Sequence, residues 1–382
     1  MSRAVLSDHV LFRECIFYLR EDLYLQTQRG STSKDKKTFS CICTTFFITK
    51  EWDLGSFSIN PSNKVNLAFR RASLISVINN PSWITEGFEH PLLFGEILSC
   101  LVSFISLLAV KSPRDVELDS SDPIQESFSE IALTLPFVSA GTGAHQTKLT
   151  IEQEDKLIEE LKELVSTLNN IEKKDYLFSI QVIRLIHLSI LVKRDDFGLA
   201  YSLLVFAIEA VAQEAISRKV FREQHPKEKE WGEKAKNDDD FKELLRVYKD
   251  SRGKDKYLSK RFTRFIIKFC PPDTWEEIVD SKDHFSDGEW NNHMKGTEHP
   301  SKMKTEEIED ILNKVYDYRS RFVHSGTQPP HQFPESSFNK FFETTQIFDG
   351  DLHATQINPT YELMLAIAKH SIINWLRTKV KK

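Results

Sequence analysis

Between Tyr316 and Gly326 the sequence reads YDYRSRFVHSG, which places Arg319, Arg321 and His324 in one short span. An imidazole titrates near neutrality and moves protons as a general acid or base, an effect on the order of 10²–10⁴ in rate. A guanidinium stays charged and grips phosphate oxygens through paired donors. Arg319 and His324 together suit a reaction at a phosphate, one group holding charge and the other shuttling a proton. Arg321 is a further candidate for a phosphate contact or an ordinary solvated cation. The same residue types have a plainer use, because cations near a helix C-terminus complement its dipole. Residue type alone leaves both readings open.

Spacing narrows the geometry. At 100° per residue, Arg319 and His324 are about 140° apart on a continuous helix. Ser325, Gly326 and the Pro329-Pro330 pair are helix-stopping residues immediately beyond. For the two groups to converge, the helix must end near His324, or two chains must supply the pair jointly.

The elements that must position this pair are helical. Glu306 to Val323 carries Ile308, Ile311, Leu312, Val315 and Phe322 at amphipathic spacing. Upstream, FGLAYSLLVFAIEAVAQEAI (Phe197 to Ile216) is an apolar helix whose one charge between Tyr201 and Ala212 is Glu209. A buried, unpaired carboxylate is strongly unfavourable, so Glu209 needs a partner. Arg319 is a candidate, and Glu209 would then orient the guanidinium; another base, or a wet bundle edge, would also serve. Lys256, Lys260, Arg264 and Lys268 recur every four residues, opposite Leu258, Phe262, Phe265, Ile266 and Phe269. One side docks and the other presents four cations, either to an RNA backbone or simply to solvent.

From Thr150 onward the chain reads as helices. Thr150 and Gln153 form a capping pair, YLFSIQVIRLIHLSILV (Tyr176 to Val192) suits a central helix, Asp238-Asp239-Asp240 caps a helix near Phe241, and YELMLAIAKHSIINWLRTKV ends the chain. His187 on its apolar helix reads as a core residue. Residues 1–145 look mixed: FSCICTTFFIT (Phe39 to Thr49), SFSIN and KVNLAF read as strands, and Glu96 to Val110 as a buried helix. Ser139 to Thr147 reads as a linker; its Gly141 and Gly143 lack the lysine of a phosphate loop. The division is therefore 1–145 as an α+β domain and 146–382 as a helical bundle domain. The fold class is mainly α.

Composition sets further bounds. The net charge of −5 excludes a chain-wide polycation, so any nucleic-acid contact uses a local patch. Five irregularly spaced cysteines, Cys15, Cys41, Cys43, Cys100 and Cys270, argue against a disulfide framework or a cysteine zinc site. His284, His293 and His299 share a stretch with Asp283, Asp287 and Glu289 but lack paired ligand spacing, so no metal and no other cofactor is expected. The most apolar stretch, Glu96 to Val110, is shorter than the ~20 residues of a bilayer span and reads as a buried helix. No signal peptide is recognised, and a reducing cytoplasm without membrane attachment is expected.

Arg-Ser-Arg-Phe-Val-His resembles the R-x4-6-H motif of HEPN domains, and YDYRSRFVHSG is similar to the ApeA-like branch of that family. AYSLLVFAIEAVAQ with Glu209, followed by Lys219 and Phe221, resembles the upstream helix of the same branch. The likeness covers roughly Tyr176 to Lys382. It implies a C-terminal HEPN-like helical bundle that dimerises, with Arg319 and His324 as the cleavage pair and Glu209 beside them. Many members carry Asn, Asp or His directly after the arginine, where this chain has Ser320. Ser320 and Arg321 would contact RNA. The implied activity is metal-independent endoribonuclease cleavage: the 2′-OH attacks its own phosphate, leaving a 2′,3′-cyclic phosphate and a 5′-hydroxyl, and DNA is spared. Antiphage defence or toxin-type growth arrest is the implied setting, with the N-terminal domain sensing a trigger or regulatory partner. The resemblance equally admits a non-catalytic RNA- or nucleotide-binding module.

Overall fold

The structure, a computed structural model, describes residues 8–27, 38–66, 72–84, 93–113, 124–134, 149–221, 225–254, 257–279, 300, 303–327, 341–349 and 352–380. Helix predominates among them, and the chain forms two compact units, 1–196 with 376–382, and 197–375.

The first unit is built on an antiparallel sheet. Its strands are β1 (Phe39–Thr44), β2 (Trp52–Asp53), β3 (Ser58–Ile59), β4 (Asn63–Asn66), β5 (Ala72–Asn79) and β6 (Val110–Lys111), in the order β2-β3-β5-β1-β6 with β4 also on β5. β1 and β5 pair along their length, Phe39 opposite Asn79 and Thr44 opposite Leu74. Both are buried on both faces, their small polar residues Ser40, Thr44, Ser73 and Ser76 included; the first is expected from the sequence as a strand and the second is passed over. Helices α1 (Asp8–Cys15) and α2 (Glu21–Thr27) precede the sheet; α3 (Leu93–Ser106) packs on β1 and β6, and α4 (Ile124–Thr134) packs on β4 and β5. Cys41, Cys43, Ile75 and Val77 meet Phe128, Ile131 and Ala132 of α4.

Two sequence expectations shift here. The strand expected to reach Thr49 stops at Thr44. The amides of Thr49 and Lys50 instead face the carboxylate of Glu154, 2.8 Å from Thr49 N and 3.4 Å from Lys50 N, and the Trp52 indole joins at 2.9 Å. The helix expected over Glu96 to Val110 begins at Leu93 and ends at Ser106; Leu107 takes φ 57, and Val110 enters β6. Gly95 is where α3 comes closest to the sheet: a Cβ there would lie 2.9 Å from the Cys41 carbonyl and collide with Ser112 Oγ.

Helices α5 (Ile151–Asn170) and α6 (Lys173–Val192) complete this unit. The Thr150/Gln153 capping box is fully formed. The compact-unit boundary lies at 196/197, whereas the sequence pattern divides the chain at 145/146. α5 and α6 pack on α3, Glu154 anchors the loop after β1, and the Tyr176 hydroxyl donates to the Ile16 carbonyl at 2.5 Å. Apolar runs mark these helices as buried without naming the partner. Arg377 and Lys379, from the chain's end, pair with Glu163 at 2.8 Å and Asp175 at 3.2 Å.

The second unit holds α7 (Phe197–Ala215), α8 (Glu228–Lys234), α9 (Asp239–Lys254), α10 (Leu258–Phe269), α11 (Trp275–Ile278), α12 (Thr305–Ser325) and most of α13 (Tyr361–Arg377). α7, α10 and α12 pack on one another, and Asn374 of α13 donates to the Phe269 carbonyl at 2.8 Å. Asp238 caps α9 through Phe241 N at 3.1 Å. One element departs from the all-helical expectation for this region: β7 (Phe342–Asp349) and β8 (Leu352–Pro359) form an antiparallel hairpin with Asp349 opposite Leu352. The signal was present in the Gly350-Asp351 pair between two runs rich in Thr, Ile and Phe.

α6 and α7 have the length and apolarity of bilayer spans, yet 44% and 61% of their most apolar windows are buried inside the protein.

Candidate active site

α12 carries the arginine–histidine motif. Acidic Glu306 and Glu307 in its first turn and His324 in its last both suit the helix dipole. Ile308, Ile311, Leu312, Val315 and Tyr316 are buried. The helix runs unbroken through His324 to Ser325 and stops at Gly326, which takes φ 67 while its amide donates to the Phe322 carbonyl at 3.0 Å. That left-handed residue ends many helices because glycine has no Cβ to clash. Ser325 Oγ folds back to the Arg321 carbonyl at 2.7 Å.

Arg319 is held from α7. Its Nη2 lies 2.6 Å from Glu209 Oε2, with the two side chains 19% and 7% exposed. The guanidinium also sits 4.5 Å from the Phe206 ring centre and 5.6 Å from that of Tyr316, an aromatic cradle that favours a weakly hydrated cation. Glu209 Oε1 accepts from Tyr316 Oη at 3.2 Å and from Gln213 Nε2 at 3.1 Å. Burial first, then the Glu209 charge, pushes the Tyr316 phenol up to about 12, so it stays a donor.

α10 supplies the third wall. Arg261 is buried, and its Nε donates to the Ile216 carbonyl at 2.7 Å while Nη2 reaches the Gln213 carbonyl. Burial, then the nearby charge of Arg218, lowers the pKa of this guanidinium. Its donors satisfy two of the carbonyls that the end of α7 leaves open. Asn313 Oδ1 of α12 accepts from Ser259 at 2.5 Å and Thr263 at 3.2 Å, and Phe262 packs on Tyr316 with ring centres 5.8 Å apart.

Of the residues singled out in the sequence, Glu209 and Arg319 are brought together. His324 and Arg321 are exposed, Arg321 lying 5.7 Å from the Tyr318 ring, and Ser320 is half-buried. On this unbroken helix His324 is turned about 140° from Arg319 and rises about 7.5 Å beyond it, so one α12 does not point both at one spot. Lys260, Arg264 and Lys268 are exposed on α10 while Phe262, Phe265 and Ile266 are buried, as the stripe requires. Lys256, Gly141, Gly143, Asp283, His284, Asp287, Glu289, His293 and His299 lie outside the described residues. Among the described residues no cluster of three or more His, Cys, Asp or Glu side chains is arranged to hold a metal ion. The five cysteines are buried and form no disulfide, and burial pushes Cys43 and Cys270 up to about 12.

Sequence reasoning passed over Tyr316, Gln213, Arg261 and Asn313. Two of them carried a usable signal: Gln213 is one helical turn beyond Glu209, and Tyr316 is three residues before Arg319, both on a shared face.

No protein-family model, no curated protein and no solved structure matches this chain. The likeness of Tyr316–Gly326 to the HEPN motif thus stands on those residues alone.

Proposed function

We propose that the chain is a metal-independent endoribonuclease of the HEPN type, working in the cytoplasm as a homodimer. One observation supports this reading above the others: a buried acid on α7 fixes Arg319 on a helix whose last turn presents His324 to solvent. A fixed guanidinium and an exposed imidazole are the two groups that phosphodiester cleavage by the 2′-OH requires. Arg319 holds the phosphate and the charge of the phosphorane. His324 moves the proton, and because it is turned away along the same helix, it serves the Arg319 of a second copy. Ser320 and Arg321 contact the RNA beside the pair, and the α10 cations track its backbone. Residues 1–145 restrain the nuclease or answer a trigger, in antiphage defence or toxin-type growth arrest.

Labelled RNA incubated in EDTA tests it. Cleavage should yield 2′,3′-cyclic phosphate ends and disappear in Arg319→Ala and in His324→Ala. Mixing the two inactive chains should restore part of the activity, since one of the two shared sites then keeps both groups. Full activity in both single variants rejects the site.

A second reading has its own observation. The same rotation along α12 leaves no paired site within one chain, which suits a module that binds RNA or a nucleotide without cutting it. RNA retained but never cut, in wild type and mixtures alike, favours that reading.

A further inference from the structure

The hydrogen bonds around Glu209 are divided in an unusual way. Arg–carboxylate pairs commonly use two parallel hydrogen bonds, and the guanidinium edge formed by Nε and Nη2 is one that fits a carboxylate. Here only Nη2 meets Glu209, through Oε2 at 2.6 Å. Nε is buried and has no hydrogen-bond partner. An orphaned buried N–H on a charged group is costly and is seldom left without a reason. The reason is visible on the other oxygen: Oε1 is turned toward Tyr316 Oη and Gln213 Nε2.

We infer that Tyr316 and Gln213 are positioning residues that hold Glu209 in a one-point pairing and so leave the Nε of Arg319, covered in the absence of substrate, for a phosphate oxygen that enters as the side chains over the guanidinium open. Glu209 would otherwise close on both nitrogens and compete with the substrate for the group meant to bind it. Gln213 is itself held, because Arg261 grips its carbonyl and that of Ile216 and keeps the last turn of α7 from fraying. Tyr316 is held on the other side by Phe262. The aromatic rings of Phe206 and Tyr316 keep the guanidinium in place without using its donors. The substrate class is that of the ribonuclease reading, on which the kinetic arm of the test rests; the geometry of the pair does not depend on it.

The test is side-chain NMR on the full chain with labelled arginine, the Arg319 signal being identified by its loss in Arg319→Lys. In Tyr316→Phe/Gln213→Leu, Oε1 is released and turns to Nε. The Nε proton should then shift as for an accepted hydrogen bond, and its exchange with water should slow about tenfold, the ratio one net hydrogen bond supplies. Each single variant should show part of the change, which keeps the test available if the double variant does not fold. An Nε signal that neither shifts nor slows overturns the inference. In the kinetic arm, kcat for RNA cleavage should fall about tenfold while KM moves less than about twofold; a tightened Nε with unchanged kcat also overturns the positioning role. Wild-type protein that cuts no RNA rejects the ribonuclease reading instead, and the inference is then decided on the Nε signal alone.

Discussion

Glu209 Oε2 stands 2.6 Å from Arg319 Nη2, an ion pair with its carboxylate end almost wholly buried. Such a pair is a poor source of net stability but an expensive one to break on one side only. Arg319→Met leaves the carboxylate with two neutral donors and should destabilise the second unit by about 2–4 kcal/mol. Glu209→Gln/Arg319→Met removes both charges and should cost clearly less than the sum of the singles. Urea unfolding of the four species measures the coupling; additive losses would mean that the pair does not interact in solution.

Neighbouring residues on α10 should behave in opposite ways. Lys260, Arg264 and Lys268 are exposed, so the triple alanine variant should keep its stability within about 0.5 kcal/mol per site. It should also weaken RNA binding and flatten the salt dependence by about two in log–log slope, at ~0.7 for each phosphate no longer neutralised. Arg261→Ala should leave the salt slope unchanged and destabilise by about 1.5–3 kcal/mol, because it strips donors from buried carbonyls at the end of α7. Salt titration with a labelled RNA and thermal unfolding separate the two classes.

Gly95→Ala tests the seat of α3 on the sheet. The added methyl would sit 2.9 Å from the Cys41 carbonyl and displace Ser112 Oγ, which donates to that carbonyl at 3.0 Å. A backbone carbonyl within β1 yields little, so overpacking should cost about 1–3 kcal/mol. A denaturation midpoint equal to wild type would show that α3 shifts freely.

Alkaline pH should loosen the site. The Tyr316 phenol is raised from 10.0 to about 12, so folding favours its neutral form. By linkage, the stabilising contribution is complete below pH 10 and is lost as pH rises toward 12. Tyr201 and Tyr176 are shifted in the same direction by burial. Stability against urea should therefore decline over that window, and Tyr316→Phe should show a shallower decline. Equal slopes in the two proteins would remove Tyr316 from the effect.

The amino-acid sequence by itself determined what short-range spacing can specify. Thr150 with Gln153, Asp238 before Phe241, the stripe on α10, the buried face of α12 and its stop at Gly326 all depend on groups within a turn or two of each other. Hydrogen-bond reach and the 3.6-residue period decide such features without knowledge of the rest of the chain. Glu209 is an intermediate case: its apolar surroundings announced that it needs a cation, and Arg319 was one of several that could answer.

Only the tertiary structure decided the pairings between distant segments. Helical spacing sets Arg261 at the edge of the apolar stripe and Arg264 on the cationic one, yet nothing local says that Arg261 reaches the carbonyls at the end of α7. Nothing local assigns α5 and α6 to the sheet of the first unit, because an apolar face is complementary to any other apolar face and burial is non-directional. Tertiary packing also settled how Glu209 is shared, one oxygen to Arg319 and the other to Tyr316 and Gln213. That division depends on angles set by three helices at once, and no single stretch of sequence contains them.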